Sequence, residues 1–351
     1  MSKGQGIAQG VVLSMGLDVD AKTSFVSVVD VATGELVYEG RVNHTEVAWD
    51  RFLTRFSSCR IWACYEAGLT GFSLCRRLRA RGIDCKVVAP SQMAKSPEAK
   101  QRKNDRLDAL ALAKLYWNPP RSWVRVPTEQ EEADRQVMRT REQLVADRVR
   151  IMSRIKSLLL FHDLQPEAGI KATWGKRYRQ WLAECDCAQP VRIALDALLH
   201  ALAGLEPQIA RLTRAIREMN RSDRYHEAAD RLAAIPGVGP LLINAFLTEL
   251  FRPEAFENSK QVASHFGLTP REWSSAFRLR QGHITRWGPS HVRKQAIEAA
   301  WVWVMRDGAA HAKYIRIRAG KERKIAIVAM ARTLLTVMWK MTVQQQPYCY
   351  N

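Results

Sequence analysis

Val11-Val-Leu-Ser-Met-Gly-Leu-Asp18 is a short apolar run that ends in an acid. A run of this length, bounded by polar residues, predicts a buried β-strand. Residues 24–31 follow with β-branched, alternating character, and residues 35–42 come after the turn pair Thr33-Gly34, so three strands in a meander are expected. Residues 47–56 then take up helical apolar spacing, and residues 60–65 read as a strand running into Glu66. Residues 69–81 predict a helix and residues 84–90 a strand. Residues 105–116 predict a helix closed by the breaker Asn118-Pro-Pro120. The fold class expected of residues 1–127 is therefore α/β, a layer whose acids sit at strand ends.

Past Pro127 the pattern changes. Val137, Leu144, Ile151 and Leu158 recur every seven residues with Ile155 between them, while Leu195, Leu198, Leu202, Leu205, Ile209, Leu212 and Ile216 alternate steps of three and four. Two long helices pairing as an antiparallel coiled coil account for both series, with residues 174–190 near the tip and an ordinary helical bundle as the alternative. Pro207 is expected to kink or break the second helix. These seams are longer than one small domain requires, so part of residues 128–228 is expected to pair between subunits as a dimer or tetramer. A third, mainly helical domain at residues 229–351 opens with Ile235-Pro-Gly-Val-Gly-Pro240, the form of a helix-hairpin-helix turn, in which the amides at Gly237 and Gly239 are available to a phosphate.

Charge narrows the partner. The chain carries 54 Lys and Arg against 35 Asp and Glu, a formal net charge of +19. Thirteen basic residues against four acids fall between positions 271 and 324 alone. On a chain with enough apolar residues for ordinary cores, this excess points to a folded protein with a polyanionic partner. Arg271, Arg278, Arg280, Arg286, Arg293 and Lys294 are candidate phosphate contacts, and for any one of them a solvated basic face is the alternative. Other classes are excluded on the same terms. The longest apolar run, residues 325–339, is interrupted by Arg332 and shorter than a membrane span. Residues 1–10 lack a signal-peptide pattern, so a cytoplasmic, nucleoid-associated protein with free thiols is expected. No Walker-type loop implies ATP, no paired CxxC motifs frame zinc, and the eight histidines are scattered.

Four acids are placed for chemistry: Asp18 and Glu66 at strand ends, and Asp105 and Asp108 three apart at a helix start, projecting from one face. Phosphoryl transfer on a nucleic acid requires hard oxygen ligands for Mg²⁺ or Mn²⁺, which offsets the charge that develops on the scissile phosphate. Taken singly, each acid also has a structural alternative: Asp105 as a helix N-cap, Asp108 as the partner of a surface arginine.

The order strand-Asp, strand-Glu, helix Asp-x-x-Asp on a three-strand meander resembles an RNase H-like nuclease domain of the RuvC type. Gly16-Leu-Asp18, Tyr65-Glu-Ala67 and Lys103-Asn-Asp-Arg-Leu-Asp-Ala109 resemble more closely the DEDD motifs of one bacterial insertion-sequence transposase family. That family is numbered one-ten, with an eleven-eleven subgroup; it is related to the Piv invertase and contains bridge-RNA-guided serine recombinases. Ile235-Pro-Gly-Val-Gly239 and Phe266-Gly-Leu-Thr-Pro270 follow in the family's order, so the resemblance covers nearly the whole chain. It implies donor and target DNA as substrates, a structured guide RNA, and a metal held by Asp18, Glu66, Asp105 and Asp108.

The resemblance further implies a serine nucleophile shortly after Gly-Leu-x-Pro. In Gly267-Leu-Thr-Pro-Arg-Glu-Trp-Ser-Ser275 it falls on Ser275, with Ser274 adjacent. Ala276 stands where many relatives have glycine, and Glu66-Ala-Gly-Leu69 replaces the commoner Glu-Ala-Thr-Gly. The implied reaction is cleavage and strand exchange through a 5′-phosphoserine. Its competitor is a RuvC-like, metal-dependent junction nuclease in which water attacks and no covalent intermediate forms.

Overall fold

In the computed structural model, which describes residues 10–93, 104–272 and 281–349, the opening apolar run forms β1 (Val12–Val19). Alternation sends Leu13, Met15 and Leu17 to one face, all buried, and Ser14, Gly16 and Asp18 to the other. β2 (Thr23–Asp30) and β3 (Leu36–Asn43) complete the meander. α1 (Glu46–Thr54), β4 (Arg60–Glu66), α2 (Ser73–Ala80), β5 (Asp84–Val88) and α3 (Asp105–Ala113) follow in the expected order. α2 starts four residues later than its apolar spacing predicts, because Gly68 to Gly71 close a turn in which the Gly71 amide donates to the Gly68 carbonyl. The five strands make one mixed sheet in the order β3-β2-β1-β4-β5, antiparallel across the meander and parallel from β1 through β4 to β5.

The two faces of this sheet are covered differently. Leu13, Met15, Leu17, Val26, Ala63 and Tyr65 pack against Trp49 and Phe52 of α1 and Leu74 and Leu78 of α2. The opposite face takes α3 through Cys64, Val88 and Leu112, with Met93, Leu115 and Trp123 packed beside them. At the crossing no side chain separates helix from strand: a Cβ on Gly16 would overlap the Ala109 carbonyl and the Ala113 amide. The Ser14 hydroxyl donates to the Ala113 carbonyl at 2.6 Å beside it.

Residues 1–128 form one compact unit and residues 129–351 a second. The second is helical apart from one small hairpin: α4 (Glu129–Phe161), α5 (Lys176–Glu184), α6 (Gln189–Asn220), α7 (His226–Ala233), α8 (Pro240–Leu250), α9 (Ser259–His265), β6 (Pro270–Glu272), β7 (Gln281–Ile284), α10 (Ser290–Arg306), α11 (Gly308–Arg318) and α12 (Arg323–Gln344). α4 and α6 pair antiparallel within the chain. Met138 shares a core with Ile216, Arg141 Nε donates to Thr213 Oγ1 at 2.9 Å, and Ile155 and Leu159 meet Leu195 and Leu202. On α6 the buried positions Leu195, Leu202, Ile209 and Ile216 keep the seven-residue period. On α4 the fully buried apolar positions are Met138, Ile155 and Leu159; Ile155 stands on the expected seam, and Val137, Ile151 and Leu158 are half-buried and pack against the same cores, while Leu144 is half-buried.

Pro207 does not break α6, which runs unbroken through it. The proline is exposed, so the carbonyl it displaces faces water. The helical region and the C-terminal region, expected to divide at residue 228, share one core: Met138 and Ile216 join Phe246 of α8, Ala300 of α10 and Leu334 of α12. α12 is 22 residues long and, by length and composition, apolar enough to cross a membrane, longer than the run the sequence reading counted. Its Ile327, Met330, Leu334, Leu335 and Met338 are buried in that core.

Charge lies inside this unit as well. Glu249, at the end of the apolar helix α8, has a side chain only 4% exposed. Arg139 of α4 donates to both its oxygens at 2.8 Å, with His291 of α10 at 3.5 Å and Arg135 at 3.9 Å. Burial pushes this carboxyl up, but the bidentate Arg139, with His291 and Arg135, outweighs burial and holds it below its ordinary value. The ion pair thus fixes the coiled coil to the C-terminal helices.

Two outcomes are expected. Gly16→Ala should destabilise the first unit by about 3 kcal/mol, because both atoms its methyl meets are backbone, and hydrogen exchange across α3 should accelerate accordingly. Glu249→Gln should lower the urea midpoint of the second unit, costing about 3–5 kcal/mol at neutral pH by leaving Arg139 and Arg135 without their counter-charge. Since the folded carboxyl titrates below its ordinary 4.5, this contribution is complete above that pH and disappears as pH falls through the folded value. Wild type and variant should therefore converge in acid, as urea titrations at successive pH values would measure.

Candidate functional site

Strand register sets the first two acids side by side. β1 and β4 run parallel with Leu17 opposite Tyr65, and one residue further on come Asp18, next to last in β1, and Glu66, last in β4. Asp18 shares the face of Gly16 and Ser14, and Glu66 shares the face of Cys64, which packs on α3. Ser14 meets Ala113 at the end of α3, while Gly16 lies beneath Ala109. The helix therefore runs against the direction of β1 and delivers its first turn, with Asp105 and Asp108, to the end of the sheet that carries Asp18 and Glu66. All four are half-buried, and Oδ2 of Asp18 is enclosed.

The first turn of α3 is held from two sides. Asn104 is the N-cap, its side chain accepting from the Arg106 amide at 3.1 Å, so the capping role open to Asp105 is filled by its neighbour. Asp105 meets an arginine instead: Arg41 Nη2 donates to Asp105 Oδ2 at 2.6 Å. Arg106 Nε reaches Glu39 Oε1 at 2.7 Å in the same way, so two ion pairs tie edge strand β3 to α3. Among the described residues no three His, Cys, Asp or Glu side chains converge closely enough to hold a metal ion. The donor set nevertheless fits a hard divalent cation, being four carboxylates at one end of a sheet, and the Arg41 guanidinium already places positive charge on one of them.

In the second unit the turn Ala234 to Gly239 joins α7 to α8 as expected. Gly237 has φ of +85°, and a Cβ there would lie 2.7 Å from the Ala299 carbonyl oxygen and from Val302 Cβ of α10. Its lack of a side chain serves close packing on that helix. Gly239 is the N-cap of α8 and has open space where a Cβ would project, so of the two it is the position a phosphate can approach.

The remaining basic candidates divide. Arg271 on β6, Arg286 after β7 and Lys294 on α10 are exposed. Arg293 is not: it is 8% exposed, and its guanidinium is engaged by four backbone carbonyls. Where a phosphate contact was expected at Arg293, the structure instead turns both terminal nitrogens of the guanidinium onto carbonyls of its own chain. Ser274, Ser275, Arg278 and Arg280 lie outside the described residues. Sequence reasoning passed over Arg41, Glu249 and the inward turn of Arg293. Of these only Glu249 left a sequence signal, as a single charge ending an otherwise apolar helix.

Comparison with known proteins bears on both units. Residues 15–162 match a family model for DEDD transposases of IS110 elements, described as Transposase. Residues 229–316 match the model described as Transposase IS116/IS110/IS902 family. The chain is 28% identical over 332 residues to the putative transposase y4qE of Sinorhizobium fredii, covering 93% of this chain and 81% of that protein. It is 31% identical over 283 residues to the putative transposase y4pF/y4sB of the same organism, covering 78% and 70%. To the transposase for insertion sequence element IS1533 of Leptospira borgpetersenii it is 26% identical over 303 residues, covering 82% and 84%.

Proposed function

Because the chain belongs to the IS116/IS110/IS902 transposase family, we propose that it moves an insertion sequence by cleaving and rejoining DNA, with four acids and a serine as the residues that carry the reaction. The observation that carries this reading is the delivery of Asp18, Glu66, Asp105 and Asp108 to one end of one sheet by three separate elements. Four carboxylates so placed repel one another, and a structural role alone gives no reason to gather them.

In this reading the acids hold Mg²⁺ or Mn²⁺, which when bound supplies positive charge against the scissile phosphate. The Ser275 hydroxyl loses its proton and its oxygen attacks phosphorus. The bond from phosphorus to the 3′ oxygen breaks, that oxygen takes up a proton, and the 5′ phosphate remains esterified to serine. A 3′ hydroxyl from the partner strand then attacks the ester and releases the serine. No bond energy is lost to water, so rejoining proceeds without ATP. Gly239, Arg271, Arg278, Arg280, Arg286 and Lys294 are assigned to the backbones of donor DNA, target DNA and a structured guide RNA that selects them. A dimer or tetramer would bring two pairs of strands together.

The test uses protein co-expressed with the noncoding flanks of its element and a duplex spanning the element's junction. Asp18→Asn, Glu66→Gln, Asp105→Asn and Asp108→Asn should each slow strand cleavage by roughly a hundredfold or more, with the unfolding midpoint nearly unchanged. Ser275→Ala should abolish a denaturation-resistant protein–DNA adduct joined through the 5′ phosphate, while DNA and RNA binding persist; Ser274→Ala should be mild. Free 5′ ends from Ser275→Ala at the wild-type rate, with no adduct in either protein, would replace this mechanism by the water-mediated junction nuclease.

A further inference from the structure

The strand ends that carry the acids also border a cavity. Val19 follows Asp18 in β1 and by alternation shares the face of Leu17, on which α1 and α2 pack, whereas Asp18 shares the α3 face. Glu66 ends β4, and the chain then turns through residues 67–72 into α2. Between these segments lies a cavity of about 300 Å³, walled by Val19, Leu69 and Leu74, with His44, Thr70 and Ser73 among its polar groups. That volume stands at the lower end for small-ligand sites and leaves room for one flat ring system.

Leu69 stands at this cavity fully exposed, at 109%, more than any other large apolar residue among those described. A lone apolar residue on a surface needs no explanation by itself, but the turn that carries this one is tied down. Tyr65 Oη donates to the Gly71 carbonyl at 2.9 Å, the Gly71 amide to the Gly68 carbonyl at 3.3 Å, and the Ala67 amide to the Val88 carbonyl at 2.8 Å. A leucine is thus held out in solvent three residues beyond one of the four acids.

The polar groups indicate what the cavity takes. Arg77 lines it too, but its Nη1 donates to the His44 carbonyl at 3.1 Å and to Glu46 Oε1 at 2.9 Å, so its charge is already balanced by a carboxylate. His44 Nε2 is hydrogen-bonded to Ser24 Oγ at 2.8 Å, and burial, with the Arg77 charge, holds the ring below its ordinary 6.5 and neutral at pH 7. A phosphate would find no unbalanced cation here. The Thr70 and Ser73 hydroxyls make no hydrogen bond among the described residues. Able both to donate and to accept, they suit the edge of a heterocyclic base between apolar walls.

From these observations we infer that the cavity receives one unstacked DNA base from the strand whose phosphate lies at the acids, with Leu69 as the wedge that replaces it in the stack. The inference rests on the reading above that Asp18, Glu66, Asp105 and Asp108 act on a DNA phosphate. Acids and cavity flank the same strand ends, so a strand crossing them presents a phosphate on one side and a neighbouring base on the other. The wedge supplies apolar contact where stacking is lost, and a base held in the cavity keeps the opened step from closing.

The experiment places 2-aminopurine, which brightens when unstacked, at each position flanking the cut in the junction duplex. It compares wild type, Leu69→Ala, Ser73→Trp and Asp18→Asn, each co-expressed with the RNA. Wild type and Asp18→Asn should brighten the probe severalfold at one position beside the cut. Leu69→Ala, which removes the wedge, and Ser73→Trp, which fills the cavity, should lose most of that signal and slow cleavage about tenfold, with DNA affinity within about threefold of wild type. A mismatch at the bright step should restore Leu69→Ala to within about threefold of wild type, because the base is already loose, and leave Ser73→Trp slow, because the cavity is still full. No bright position in wild type overturns the inference, and so does unchanged brightening in both variants. A slow Leu69→Ala that the mismatch does not rescue also overturns it, since that marks damage to the turn beside Glu66. If Ser73→Trp does not fold, Leu69→Ala and the mismatch decide. If Asp18→Asn cleaves at the wild-type rate, the reading of the acids has failed and the inference falls with it; an inert Asp18→Asn beside unchanged brightening in Leu69→Ala and Ser73→Trp removes the cavity inference only.

Discussion

Everything at the acidic end of the first unit depends on an absence of atoms. At Gly16 the central strand has no side chain, and α3 occupies the space with its own backbone. A helix that rests on a strand through side chains has room to slide or tilt; one that rests on a glycine, with Ser14 bonded to its last turn, has a defined height and direction. Only with that direction does its first turn arrive beside the ends of β1 and β4. The catalytic reading and the stability of the sheet thus share a single contact.

The second unit uses the opposite device. Its helices are joined by charges set inside the protein, Glu249 between α4, α8 and α10, and Arg293 between the turn at Phe266 and the turn at residues 286–288. Such groups fix orientation because their hydrogen bonds have preferred angles, whereas the surrounding Leu, Met and Ala contacts have none. The remaining positive charge stays outside on β6, the turn after β7 and α10, where Arg271, Arg286 and Lys294 are exposed. Sequence proximity concealed this division. Arg293 and Lys294 are neighbours of like charge, yet one is engaged by carbonyls and the other faces solvent, as adjacent positions on a helix must.

Much of the first unit was legible in the chain because strands announce themselves locally. The run into Asp18, the meander after it and the Asp-x-x-Asp helix all carry their pattern within a few residues, and their order is the order found. Family resemblance then named the acids. What stayed hidden depends on residues distant in sequence. Met138 and Leu159 join the α4 seam because of what α6 places opposite them. Gly237 reads as a phosphate-binding glycine until α10 is seen against it. Pro207 reads as a break until its carbonyl partner is found on the solvent side. The Arg293 junction joins segments whose turns are recognisable, but nothing in either turn indicates which distant side chain closes it.

The order of these elements along the chain also has a temporal meaning. Asp18 and Glu66 leave the ribosome before α3 exists, and without α3 the face that carries them is bare. At roughly 5–20 residues per second, the serine segment follows the last of the acids by on the order of ten seconds, and α10, with Arg293, comes later still. A nascent or truncated chain therefore passes through states in which the acids are present and the C-terminal helices are not. For an enzyme that cuts the genome encoding it, completeness of translation becomes a condition for damage.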